Sequence, residues 1–396
     1  MRVVALHTDF RIYWPARLKA LSTALYRRGD KLDVIEIAGK GSPYAFADNR
    51  NNRNINWHIL FPEASPEDLS GKVIEKPLFS LLEQLRPDVI LAGAIAFPSG
   101  ALAVNWGQKH NTKIIVFDDS KIDAVKRNPI VNRIKQAVYN GVDSLLLPAE
   151  QWIQTGKFWH FSEKQLFFGM DVVDNNFWEK QQPSKNEYGD YFIAVGRQIP
   201  AKNFYGVIKA YADYIKICGK ENAYDLIMIG DGYEHSLIEN CILENKLENK
   251  VHLLPFMQQH ELIPFYQNAK AICIASKSET WGLVINEAMA AGCPVFASIQ
   301  CGATEVLIKE GINGYSFDCE DINTLSKKMA LFTKLSNEQQ LAMSNASKEI
   351  ISYWGLSRFC NGVMSAIDFS IAHKRKRISL IDKLIIHNWK GQYRPV

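Results

Sequence analysis

Twice along this chain, short apolar runs alternate with longer amphipathic segments, and a polar break separates the two series. In the first series residues 3–6, 32–37, 89–92, 113–117 and 144–148 read as strands. Residues 14–28 read as a helix with Leu18, Leu21 and Leu25 on one face, and residues 74–85, 102–109 and 132–139 read as helices too. The stretch 38–70 is rich in Asn, Pro and charge, and is expected to be loop with one strand near 57–61. After the polar residues 181–190 the alternation restarts, with strands at 191–195, 226–229, 251–254, 271–275 and 294–297. Helices are expected near 205–216, 234–245, 260–268 and 283–291, then near 324–332 and 337–351. Such alternation requires βαβ units, because a parallel neighbour strand is reached only through a crossover of about a dozen residues. The expected fold class is therefore α/β, with two Rossmann-like, doubly wound parallel-sheet domains facing a cleft. They span 1–180 and 191–350, joined by the linker 181–190 and followed by a closing helix and tail at 351–396.

Composition agrees with that size. The chain has 396 residues, 47% hydrophobic and 22% charged, which excludes a disordered, collagenous or small disulfide-stapled protein. A net charge of +4 is too mild to call for nucleic acid, and no such partner is expected. The seven cysteines are odd in number, fall in the second half and form no CxxC pair, so they are expected to be free thiols of a cytoplasmic protein. The low-polarity stretch 89–106 is broken by Pro98, Ser99 and Gly100, and reads as strand, turn and helix rather than a membrane span.

Three segments could carry chemistry. In residues 195–203 an apolar strand runs into Gly196, with Arg197 and Lys202 following before a helix. A guanidinium fork and an ammonium there would suit phosphate oxygens, or would simply be two solvated charges. In residues 279–294, Glu279 precedes a helix that Thr280 could cap, Glu287 lies inside it, and Gly292 and Pro294 end it. The N–H groups around Trp281, Gly282 and Leu283 would suit a diphosphate, though a carboxylate near a helix start is also an ordinary dipole partner. Gly230-Asp-Gly232 opens like a dinucleotide fingerprint, but His235 stands where the third glycine belongs, so that cofactor is excluded. No Asp-x-Asp triplet of a magnesium-dependent nucleotide-sugar site occurs.

In this order, residues 191–320 resemble the nucleotide-binding domain of retaining glycosyltransferase family 4, whose members have the GT-B fold. The likeness rests on residues 195–203, on Gly230 and Gly232, on 251–266, on the E-x7-E pair Glu279 and Glu287, and on 302–314. The resemblance implies transfer of a sugar from a nucleotide diphosphate donor, UDP- or GDP-linked, with no metal or other cofactor. Gly196, Arg197 and Lys202 would serve the leaving diphosphate, Glu287 the ribose, and Glu279 the sugar. The amides of Trp281, Gly282 and Leu283 would help hold sugar and phosphate, and Phe256 and Met257 would lie beside the base. It further implies a glycan or lipid-linked acceptor of a bacterial surface polymer. An epimerase, a phosphorylase or a non-catalytic nucleotide- or glycan-binding protein on this fold remain alternatives.

The first half departs from that family. Residues 7–14 lack the usual glycine-rich loop, and residues 117–120 carry Asp118 and Asp119 where many members place a histidine. Asp118 or Asp119 is the candidate for part of that role, with His7 or Asp9 approaching from the first loop. The last 24 residues carry seven basic side chains against one acid, beside Leu380, Ile381, Leu384 and Ile385. Such a tail either holds the enzyme at an anionic membrane face or packs back on the first domain.

Overall fold

The computed structural model describes residues 1–40, 55–122, 128–181 and 187–392. Within the expected linker, 182–186 lie outside the described residues, as do Tyr393 and Arg394 of the tail. The chain divides into two compact units, Met1–Val172 with Leu356–Val396, and Val173–Gly355.

The first unit runs β1 (Arg2–His7), α1 (Trp14–Arg27), β2 (Lys31–Ala38), β3 (Asn56–Phe61), α2 (Gly71–Leu85), β4 (Val89–Ala92) and α3 (Pro98–His110). It continues through β5 (Lys113–Phe117), α4 (Pro129–Tyr139), β6 (Ser144–Leu147), α5 (Ile153–Phe158) and β7 (Leu166–Phe168). All seven strands are parallel, in the order β3-β2-β1-β4-β5-β6-β7. The strands β4 and β6 are buried along their whole length and β5 everywhere but Lys113, which explains why they read as continuous apolar runs rather than alternating ones. Helix α3 starts at Pro98, four residues before the expected 102, because proline is suited to the first helical position, where no intrahelical N–H is needed. α4 likewise starts with Pro129, capped by Asn128, whose side chain accepts from the Ile130 amide at 2.8 Å.

The second unit comprises α6 (Asn175–Trp178), β8 (Tyr191–Val195), α7 (Phe204–Cys218), β9 (Asp225–Ile229), α8 (His235–Glu244), β10 (Val251–Leu254) and α9 (Gln259–Asn268). Then follow β11 (Ala271–Ile274), α10 (Leu283–Ala291), β12 (Val295–Ser298), α11 (Gly302–Leu307), β13 (Gly314–Phe317), α12 (Ile322–Thr333) and α13 (Asn337–Ser352). Its six parallel strands take the order β10-β9-β8-β11-β12-β13 around a core that includes Phe192, Tyr211, Tyr214, Phe296 and Phe332. The chain then returns to the first unit as α14 (Leu356–Ala372), whose Phe359, Val363 and Ile367 join Leu18, Leu21 and Leu25 of α1 in one core. α15 (Leu380–Asn388) packs on α4 and α3. All seven cysteines are free. Among the described residues no helix is long and apolar enough to cross a membrane.

In each sheet the order reverses beside the first strand, between β1 and β4 and between β8 and β11. Loops leaving the carboxyl ends of strands at such a reversal diverge and leave a crevice, so these two places are where a ligand is expected.

Candidate active site

In the second unit every loop at the carboxyl edge of the sheet near the β8/β11 reversal carries residues singled out by the sequence. Gly196 leaves β8 with φ +155° and Gly230 leaves β9 with φ +143°. A Cβ on Gly230 would lie 1.8 Å from the Gly196 carbonyl oxygen, and one on Gly232 2.3 Å from that of Gln198. The two loops thus touch backbone to backbone, which only glycine permits. Gln198, buried between them, donates from Nε2 to the Gly230 carbonyl (2.9 Å), and its Oε1 meets His235 Nδ1 at 2.7 Å. His235, in the third-glycine position, therefore clasps the loop from the start of α8.

Arg197 is half-buried in this loop. A short 3-10 turn, Pro200–Lys202, follows, and Asn203 adopts φ +56° to cap α7, its Oδ1 accepting from the Gly206 amide (3.2 Å). Asn203 Nδ2 also donates to the Ala275 carbonyl at 3.2 Å, fixing this turn to the end of β11. Lys202 is thereby held where its Nζ forms an ion pair with Glu279 Oε2. A small cavity lies beneath the pair, bordered by Ala194, Ser276 and Gly282.

The loop after β11 is laced to the start of α11. The Gly302 amide donates to the Glu279 carbonyl (3.2 Å) and the Ala303 amide to that of Trp281 (2.9 Å). The cap of α10 is Gly282 at φ +102°, not Thr280, because the chain needs a left-handed turn to leave this loop and enter the helix. The first N–H groups of α10, from Leu283 on, have no i−4 carbonyl, as at any helix start. The Trp281 side chain points into the protein, donating from Nε1 to Asn286 Oδ1 at 2.8 Å, so its backbone alone is suited to a ligand. Glu287 is 3% exposed; Oε2 accepts from the Tyr266 hydroxyl (3.0 Å) and Oε1 faces Gln259 Nε2 at 3.5 Å. Phe256 and Met257 are half-buried in the loop between β10 and α9, on the same edge. Tyr266 was not expected as a site residue; its segment matched only as a strand, loop and helix, with no charge to draw notice.

Residues 176–350 match the family described as glycosyl transferases group 1. A protein of Haemophilus influenzae described as an uncharacterized glycosyltransferase is 23% identical over 85% of this chain and 91% of its own length. The alpha-monoglucosyldiacylglycerol synthase of Acholeplasma laidlawii is 26% identical over 39% of this chain, and the match spans 43% of that relative. The solved structure of Anabaena HepE in complex with UDP superposes with a TM-score of 0.72 at 15% identity, covering 93% of this chain and all of that one. The chain is a glycosyltransferase of the GT-B type.

In the first unit of this glycosyltransferase, the β1/β4 reversal gathers a second polar group. His7 ends β1, its Nδ1 3.0 Å from the Asp9 carbonyl oxygen, and burial lowers its pKa, so the ring is neutral at neutral pH. Gly93 leaves room for it, since a Cβ there would lie 2.7 Å from the imidazole. Asp9 is held by a two-pronged pair with Arg11, at 2.9 and 2.6 Å. In this loop, which contains no glycine, Ile12 adopts φ +66°, a conformation that a β-branched residue takes only under strain.

Asp118 is buried at the end of β5, with Oδ1 accepting from the Ser120 amide (2.9 Å) and hydroxyl (2.5 Å), and Oδ2 from the Tyr139 hydroxyl. Asp119 lies near the buried Arg17 and Asp171, a group that sequence spacing did not bring together. Arg17 donates from Nε and Nη2 to the Val172 carbonyl, at 3.0 and 2.7 Å. Thr8 Oγ1 and Ser99 Oγ are buried here without a hydrogen-bond partner among the described residues. Among those residues no group of three His, Cys, Asp or Glu side chains could hold a metal ion.

Proposed function

We propose that this glycosyltransferase moves a sugar from a UDP- or GDP-linked donor to an acceptor hydroxyl with retained anomeric configuration. The observation that carries the reading is the meeting of Lys202 with Glu279, from loops flanking the β8/β11 reversal, with Arg197 and Glu287 on the same edge. The bond between the anomeric carbon and the β-phosphate oxygen breaks, and its electron pair stays on that oxygen. Arg197 and Lys202 take up this growing charge, so no metal is required. The acceptor oxygen bonds the anomeric carbon, and its proton leaves with the nucleoside diphosphate. Glu279 and the start of α10 at Gly282 and Leu283 orient the sugar and phosphate. Glu287 holds the ribose, with the base beside Phe256 and Met257. The likeness to a structure solved with UDP supports a nucleotide donor.

The acceptor is a glycan or lipid-linked intermediate of a bacterial surface polymer such as lipopolysaccharide, capsule or exopolysaccharide. It binds at the β1/β4 reversal, where its hydroxyls meet Thr8 and Ser99, while Asp118 positions the loop. The likeness to a relative described as an alpha-monoglucosyldiacylglycerol synthase supports a lipid-linked acceptor, and with such an acceptor the enzyme works at the inner membrane face.

The test offers purified protein UDP- and GDP-sugars, with and without lipid-linked or saccharide acceptors, in the presence of a chelator. Acceptor-dependent release of UDP or GDP, unaffected by the chelator, is expected. Failure to bind or cleave any of these donors defeats the proposal, and conversion of the donor without acceptor would make the enzyme an epimerase or hydrolase instead.

A further inference from the structure

A second basic site lies on the first sheet at the amino ends of its strands, whereas His7 and Asp118 stand at the carboxyl ends of β1 and β5. A cavity of about 410 Å³ opens there beside Asp143, which directly precedes β6, so it faces the amino ends of the strands. One wall is the segment joining α14 to α15, and Arg375 holds that segment in place. Its guanidinium pairs with Asp143 and donates to the carbonyls of Gly107 (2.7 Å) and Thr112 (2.5 Å). Lys374 and Lys376, on either side of Arg375, line the cavity with Lys164, His160 and His373. None of the three lysines has an ion pair or hydrogen bond with another described residue. Asp143 is the one carboxylate among the lining residues, and Arg375 and Lys113 neutralise it. The cavity thus presents three uncompensated ammonium groups in a space of ligand size.

An apolar ridge adjoins it. Asn140, at the cavity wall, donates to Asp382 of α15 at 3.0 Å, and Ser379 caps that helix by accepting from the Asp382 amide. Asp382 and Ile386 face inward, whereas Leu380, Ile381 and Leu384 are 83%, 64% and 64% exposed on one outward face. α4, packed against α15, also exposes Ile130 and Val131. Arg377 and Lys383 flank the ridge. Exposed apolar side chains beside unpaired cations match the two layers of an anionic bilayer, acyl boundary and phosphate.

We infer that this face docks on an anionic membrane, with the cavity taking a phospholipid phosphate and Leu380, Ile381 and Leu384 entering the acyl boundary. The inference rests on the proposed work at a membrane face, and gives it a surface on the first unit. The test is co-sedimentation of the full chain with phosphatidylcholine vesicles, with and without phosphatidylglycerol. Two triple variants accompany it, Lys164→Ser/Lys374→Ser/Lys376→Ser and Leu380→Ser/Ile381→Ser/Leu384→Ser. The native chain is expected to bind only vesicles containing phosphatidylglycerol, the lysine variant about a hundredfold more weakly. The ridge variant is expected to lose binding as well, while both keep native melting and donor turnover in solution. Equal binding to neutral vesicles, unchanged binding by either variant, or binding of inorganic phosphate alone without vesicles would overturn it. Donor turnover is measured without vesicles, so loss of the proposed reaction and loss of docking are read separately.

Discussion

Lys202, at the end of the turn after β8, and Glu279, in the loop after β11, form an ion pair across 77 positions of sequence. Each side chain is 20% exposed, so the pair contributes little to stability and its worth lies in holding two charges ready for a ligand. Lys202→Ala is expected to lower kcat/KM for the donor about 10- to 100-fold, the loss of one charged hydrogen bond of about 1.5–3 kcal/mol. Its melting temperature should hardly change. Steady-state kinetics with an unchanged kcat/KM would remove Lys202 from the site.

Glu287 is buried with Tyr266 donating to it, so the two positions should respond differently. Tyr266→Phe removes one hydrogen bond and should cost about 1 kcal/mol of stability. Glu287→Ala leaves the Tyr266 hydroxyl inside without that acceptor and takes away the proposed ribose ligand. It should raise the donor KM at least tenfold as well as lower the melting temperature. Equal donor KM in the two variants would contradict the ribose role.

Gly230→Ala is expected to be the most damaging single-methyl change in the second unit. The added carbon would stand 1.8 Å from the Gly196 oxygen on a backbone at φ +143°. The backbone strain alone costs about 1–3 kcal/mol, and the loop carrying Arg197 must shift to relieve the overlap. Calorimetry should show both a lower melting temperature and loss of UDP or GDP binding.

Arg375→Ala tests how the tail is held. The change leaves the buried Asp143 with Lys113 and the Ile114 amide and strips two carbonyls of their donor. Breaking such a pair costs about 3–5 kcal/mol, which denaturant titration would read directly. A loss below 1 kcal/mol, within the surface range, would mean the segment is not anchored there.

Asp171 gives a pH signature. Burial first, and then the charge of Asp119, push its carboxyl from 3.8 up to about 7, against the pull of Arg17. The unfolded chain releases this proton near 3.8 and the folded chain near 7, so between those values the folded state binds more protons. The group's contribution to stability is therefore full below about pH 4, declines as pH rises to about 7, and is level above. Asp171→Asn should flatten this decline when denaturation midpoints are compared between about pH 5 and about pH 8. A parallel decline in the variant would assign the pH dependence elsewhere.

Much of the donor side could be read from sequence because its signals are local. Gly196, Arg197 and Lys202 sit within seven positions after an apolar strand, and Glu279 and Glu287 bracket a helix start whose end is marked by Gly292 and Pro294. The strands β7 and β13 were not anticipated: β7 has only three residues, and β13 opens on Gly314 and carries Ser316, which interrupts the apolar run. The helix cap passed from Thr280 to Gly282 because capping preference is weaker than the backbone turn the loop demands.

What the sequence determined by itself is what repeats over short spans: two βαβ series, the parallel sheets they require, and the residues at each strand's carboxyl end. What only the tertiary structure decided is what those residues meet. Arg17 reaches the Val172 carbonyl across 155 positions, and Asp118 is taken up by Ser120 and Tyr139. The basic tail divides, with Arg375 half-buried and paired with the buried Asp143, and Lys374 and Lys376 left to line a cavity. A charge count weighs these cations equally. Burial and pairing, which arise only when distant segments pack, separate the anchor from the lysines suited to a ligand.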